Sequence, residues 1–171
     1  MDVLEAILTR RSIRRFTGEH VSEDKILQIL KAAMAAPSSK NEQPWVFTII
    51  DDRDLLAEIP NFHPYAGMIS SCAAAILVCA DKRRFLSEDV WIQDCAAATQ
   101  NMLLAAYGLG LGSVWLGIYP RIERVKGMAS LLTLPDHIIP FSLVVIGFPA
   151  ERKPPVDRFD PSRIHKNRWC S

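Results

Sequence analysis

Residues 89–118 read DVWIQDCAAATQNMLLAAYGLGLGSVWLGI, and this stretch decides the fold. Thirteen of the 19 residues from Asp89 to Tyr107 are apolar, which predicts a helix too apolar to turn one whole face to water. A helix buried on most sides needs cover on most sides, and in a domain this small a partner subunit is the economical source. Gly108 is expected at the C′ position that ends it. Val114 to Ile118 then predicts a buried strand from its apolar run. The window from Met102 to Ile118 is the least polar in the chain. Gly108, Gly110, Gly112 and Ser113 interrupt it, so it reads as helix, turn and strand rather than as a membrane span.

Working outward, Ala74–Ala80 and Trp45–Ile50 predict two earlier strands from their β-branched and aromatic content. Ser22 is placed as an N-cap, with Glu23 and Asp24 in the first turn and Ile26, Ile29, Leu30 and Ala33 on the apolar side. Pro37 ends that helix. Asp2–Arg10 carries Val3, Leu4, Ile7 and Leu8 at helical spacing. On the other side, Ile122–Leu132 predicts a helix and Phe141–Phe148 a strand. From Pro149 the chain is polar and proline-rich and reads as a tail or arm. The order of elements predicts a single α+β domain over residues 1–171, a three-layer α-β-α sandwich, with strands too few and too far apart for a barrel.

The 171 residues suffice for one core. Twenty Lys and Arg balance 19 Asp and Glu, so the net charge is +1, which argues against a dedicated nucleic-acid binder. Cys72, Cys79, Cys95 and Cys170 show no CxxC pair and fit reduced thiols, hence a cytoplasmic setting. The opening MDVLEAILTRRS has no basic region ahead of an apolar stretch, so no secretory signal is expected. His20, His63, His137 and His165 have no metal-ligand spacing and are expected in loops or at the surface; no metal is expected.

HExxH, GxSxG, Walker A and a strand-to-helix GxGxxG are all absent. Two segments stand out instead. Arg10, Arg11, Arg14 and Arg15 place four guanidinium groups in six residues, with Ser12 and Ile13 between them and Phe16 after. Such a run is either a solvated basic face or the seat of an anion such as a phosphate monoester, held by bidentate Arg and a hydroxyl. Pro37 to Gln43 offers hydroxyls and amides, which suit the polar edge of a heterocycle or simply make turns.

Taken in order, RRSIRRF, APSSKNEQPWVF, QNMLLAAYGLGLGSVWLG and IGFP ahead of a basic tail resemble the FMN-dependent nitroreductase family over most of the chain. The resemblance implies a mostly antiparallel central sheet and a homodimer with a C-terminal arm exchanged between subunits. It also implies FMN at the subunit interface, with NADH or NADPH as donor and a small-molecule electron acceptor such as a nitro compound, a quinone or a free flavin. Arg10, Arg11, Ser12 and Arg14 match the residues that hold the FMN phosphate and ribityl chain, with Arg14 near the ring. Pro37, Ser38, Ser39 and Asn41 match the segment contributed by the other subunit. Leu116 and Gly117 match the strand end beside the isoalloxazine, and Arg158 a tail residue that closes on the phosphate. In such chemistry the cofactor carries the hard step, which accounts for the missing triad. A flavin-fragmenting or dehalogenating relative, or a non-catalytic flavin-binding module, remains the alternative.

Overall fold

The computed structural model describes residues 2–87 and 89–169, so Cys170 lies outside the described residues. Nine principal elements run α1 (Val3–Thr9), α2 (Glu23–Met34), β1 (Trp45–Ile50), α3 (Arg53–Glu58), β2 (Ala74–Asp81), α4 (Trp91–Gly108), β3 (Gly112–Gly117), α5 (Ile122–Leu131) and β4 (Ile138–Gly147). The four strands form one sheet in the order β1-β2-β4-β3, and every neighbouring pair is antiparallel. β1 and β3 are therefore the edges, and β2 and β4 the centre.

Alternation along β2 explains the three layers. Ala74, Ile76, Val78 and Ala80 face a core completed by α2 and α4, including Ile29, Met102 and Ala106. Ala75, Leu77 and Cys79 face a second core with Leu56 of α3 and Met128 of α5. Both faces of a central strand are covered, so β2 reads as a continuous apolar run. Burial pushes the thiol of Cys72 up to about 11 and that of Cys79 to about 12, so these cysteines are packing groups.

Several boundaries differ from the sequence expectation. α4 begins at Trp91 and includes Gly108; Leu109 caps it, and Gly110 takes the left-handed conformation at φ +77°. The residue past the cap must tolerate positive φ, and of the two glycines it is the later one that does so. β3 starts at Gly112 and stops at Gly117, and β4 starts three residues early at Ile138. Ser22 precedes α2 but its side chain makes no capping bond. The short α3 was not foreseen; Asp52 caps it by accepting from the N–H groups of Asp54 and Leu55.

Only Gln93, Gln100 and Gly108 of α4 are exposed, while Ile92, Ala96, Ala97 and Leu104 stay half-covered. On α1, Val3, Leu4, Ile7 and Leu8 are all exposed, as are Phe159, Ile164 and Trp169 of the tail. No helix among the described residues is long and apolar enough to cross a membrane.

A candidate anion and flavin site

α1 stops at Thr9, whose hydroxyl donates back to Glu5 O at 2.6 Å and meets the Tyr107 hydroxyl of α4 at 3.0 Å. Arg10 then leaves helical geometry at φ −55°, ψ 133°. Continued as a helix, the arginine run would have stacked 10 on 14 and 11 on 15, like charge on like. It runs extended instead. Ser12 bridges Ser113 in parallel, and Ile13 N–H donates to Ser113 O at 3.0 Å. Thr17 N–H donates to Phe148 O and Ala150 N–H to Arg15 O, which draws the start of the tail alongside.

The root of the tail is tied to the same segment. Arg11 Nη1 donates to Pro154 O, Lys153 Nζ to Ser12 O at 2.9 Å, and Arg14 N–H to Glu151 Oε1 at 2.6 Å. These contacts shape a cavity of about 270 Å³ lined by Arg10, Arg11, Ser12, Arg14, Lys153 and Arg158. Burial, and then the charges of Arg158 and Arg11, pull the Arg10 guanidinium below its ordinary pKa. Arg10 Nη1 is buried and has no hydrogen-bond partner among the described residues. Glu151, an acid beside this rim, is engaged by Lys153 and the Arg14 amide. Converging cations around an unsatisfied buried N–H describe a seat for an anion, and they fit the phosphate of FMN.

The structure therefore gathers Arg10, Arg11, Ser12, Arg14 and Arg158 and adds Lys153, which sequence reasoning missed. The only signal for it was a basic residue in a tail without periodicity.

The other expected residues lie elsewhere. Ser39 N–H donates to Asp94 Oδ1 at 3.0 Å, which fastens the Pro37–Asn41 segment to the first turn of α4. Just past it, Gln43 donates to Ser38 Oγ and Asn41 Oδ1, and Lys40, Asn41 and Gln43 all have φ near +50°. Non-glycine residues in that region carry backbone strain, which commonly marks a working loop. Thr9 meets α4 at Tyr107, thirteen residues on from Asp94 and so about 20 Å further along the axis. In one chain, the arginine seat and the Ser38–Asn41 loop sit at opposite ends of α4.

Leu116 is buried in the second core, and Gly117 ends β3 with its carbonyl bonded by His63 Nε2 at 3.1 Å and Arg124 Nη1 at 2.7 Å. His63 is a loop residue as expected, yet it is 1% exposed, so a surface role is corrected. A lone histidine between turns carries no periodic signal that would reveal such burial. Burial first, then the Arg124 charge, lowers its pKa. Among the described residues no cluster of three His, Cys, Asp or Glu side chains could hold a metal.

The model of the Nitroreductase family matches residues 7–77 and 72–148, which is most of the chain. This chain belongs to the nitroreductase family. A relative from Methanothermobacter thermautotrophicus, provisionally named an NADH dehydrogenase/NAD(P)H nitroreductase, is 48% identical over 169 residues, covering 99% of this chain and 88% of its own. An FMN reductase [NAD(P)H] of Bacillus subtilis is 30% identical, covering 88% of this chain and 67% of that protein. A solved structure from Desulfovibrio desulfuricans, provisionally a nitroreductase and in complex with FMN, superposes with a TM-score of 0.85 at 32% identity, covering 99% of both chains. The α+β sandwich is thus the nitroreductase fold.

Proposed function

We propose that this chain is an NAD(P)H-dependent FMN oxidoreductase that works as a homodimer and passes hydride to a small-molecule acceptor by a ping-pong cycle. The unsatisfied, buried Arg10 Nη1 in a cavity of converging cations is the observation that carries the reading. Family membership and relatives named as NAD(P)H nitroreductase and FMN reductase support the oxidoreductase activity and the cofactor. FMN, when bound, supplies the hydride-accepting and hydride-donating chemistry.

The protein's part is position and electrostatics. Arg10, Arg11, Ser12, Lys153 and Arg158 bind the phosphate, and Arg14 offers a cation that favours negative charge on the reduced ring. Leu116 and Gly117 present backbone at the strand end beside the ring. Pro37, Ser38, Ser39 and Asn41 come from the other subunit. Their distance from the arginine seat within one chain supports that division, because a two-fold axis that sets the α4 helices antiparallel brings one subunit's loop to the other's arginines. The exposed apolar side chains of α1 and of the tail supply surface for such an interface, with the tail as an exchanged arm. Buried thiols at Cys72, Cys79 and Cys95 agree with a cytoplasmic setting.

The test is a spectrum of the purified protein followed by anaerobic titration. Bound flavin that bleaches rapidly with NADH or NADPH, and parallel double-reciprocal lines with an added acceptor, are expected. Bound flavin that neither nucleotide bleaches points to a non-catalytic flavin-binding module instead.

A further inference from the structure

The segment from Pro37 to Gln43 runs between two fixed ends. Ala36, just past α2, and Pro44, whose carbonyl accepts from Asp81 N–H, are both buried. Between them Pro37, Lys40, Asn41 and Gln43 are exposed. Lys40, Asn41 and Gln43 stand at φ 50°, 57° and 47°, a conformation that non-glycine residues keep only when surrounding bonds impose it. Most of those bonds are local: Asn41 N–H donates to Ser38 O, Glu42 N–H to Ser39 O, and Gln43 to Ser38 Oγ and Asn41 Oδ1. They set the shape of the turn and leave its placement open. Among the described residues, one hydrogen bond carries residues 38–43 to the rest of the chain, from Ser39 N–H to Asp94 Oδ1 at 3.0 Å.

Asp94 is a stiff post for that bond. It lies in the first turn of α4 with Trp91, Cys95 and Ala98 of the first core, and it is 6% exposed. Its second oxygen, Oδ2, is buried without a hydrogen-bond partner among the described residues. A buried acceptor left unsatisfied costs free energy, so a carboxylate kept for stability alone would fill both oxygens. Asp94 bears that cost while it holds one backbone N–H.

We propose that Asp94 is a positioning residue which, through Ser39 N–H, sets the Ser38–Asn41 turn in place for the flavin bound at the partner subunit's arginine seat, and so acts across the dimer. This rests on the FMN reading above. Within one chain the turn and the arginines sit at opposite ends of α4, so loss of the tether leaves the phosphate contacts of its own subunit in place.

Three full-length variants provide the test. Asp94→Ala removes the acceptor and suits a helix, Asp94→Asn keeps Oδ1, and Arg10→Ala marks the seat. FMN affinity is expected to fall at least tenfold in Asp94→Ala and to stay within about threefold of wild type in Asp94→Asn. Arg10→Ala and Asp94→Ala chains are then co-expressed under different affinity tags, and the mixed dimer is purified. One of its two sites carries both defects and the other carries neither. The mixed dimer should therefore bind FMN with wild-type affinity at half the wild-type stoichiometry, although neither parent homodimer does. If Asp94 acted on the seat of its own chain, each site would carry one defect and no tight site would form.

If Asp94→Ala does not fold, Ser39→Pro replaces it in both arms. It removes the N–H at the first position of a helical turn, where proline fits, and Ser38 before it is already extended at φ −141°, ψ 152°. Ser39→Ala keeps the N–H and controls for the lost hydroxyl. The proposal is overturned if Asp94→Ala binds FMN as wild type does, if Asp94→Asn loses as much as Asp94→Ala, if Ser39→Pro matches Ser39→Ala, or if the mixed dimer has no tight site. Any of these in a wild type that loads FMN leaves the cofactor reading standing; a wild type that takes up no FMN overturns that reading and the proposal with it.

Discussion

Ile13 lies so close over Gly112 that a Cβ at position 112 would stand 2.8 Å from Ile13 Cγ2 and 2.9 Å from its Cβ. This contact seats the arginine segment on β3. Ile13 is buried in the second core while Arg14 beside it is exposed, so an apolar anchor sits in the middle of a cationic run. Burying such a side chain is worth about 1.5–3 kcal/mol, enough to hold mutually repelling neighbours against the sheet.

Gly112→Ala should therefore do two things at once. The added methyl overpacks a tight site, costing about 1–3 kcal/mol of stability. It also lifts the arginine segment, so under the proposed phosphate assignment FMN affinity should fall with the melting temperature. Calorimetry and a flavin-fluorescence titration read the two effects; an unchanged melting temperature would contradict the packing argument.

Arg10→Ala removes the buried guanidinium whose Nη1 lacks a partner in the chain. Truncating one side of a buried hydrogen-bonded charge pair costs about 2–5 kcal/mol, and FMN binding should weaken accordingly. Riboflavin, which has no phosphate, should bind Arg10→Ala and wild type alike. Lys153→Gln should show the same discrimination with a smaller loss, because Lys153 already shares its charge with Glu151 at 3.1 Å. Equal losses for FMN and riboflavin would remove the phosphate assignment.

Much of this was legible in the sequence, for physical reasons. β1 falls on Trp45–Ile50 as expected, because its aromatic and β-branched run is bounded by Pro44 and Asp51. The arginine cluster stood out by its charge density, but that density did not tell that the segment would run extended along β3. α3 escaped notice because six residues with Leu55 and Leu56 as the apolar pair give too short a period to detect. Lys153, His63 and Arg124 escaped because each reaches its site through tertiary contacts: Lys153 to Ser12 O, the other two to Gly117 O. No spacing along the chain encodes such meetings.

Asp81 gives the acid response a defined sign. It is buried at the end of β2, and hydrogen bonds from the Arg83 side chain, before any other influence, hold its carboxyl well below the usual carboxylate range. A depressed folded pKa adds stability that is complete above the unfolded value, about 4, and disappears as pH falls toward the folded one. Asp81→Asn should thus melt below wild type at neutral pH, and the gap should narrow as the pH drops below about 4. Melting curves at several pH values check this; a gap that stays constant into acid would speak against the Asp81–Arg83 linkage.

The most direct test of the central claim, a flavin seat completed by two copies of the chain, is sedimentation velocity followed at the visible flavin band and at the protein band. The account predicts that flavin travels only with dimer-sized particles, at about one FMN per chain. Dilution should release flavin and monomer together, by mass action. A chain lacking residues from Arg158 onward should lose both properties. Tightly bound FMN travelling with a stable monomer would contradict the account.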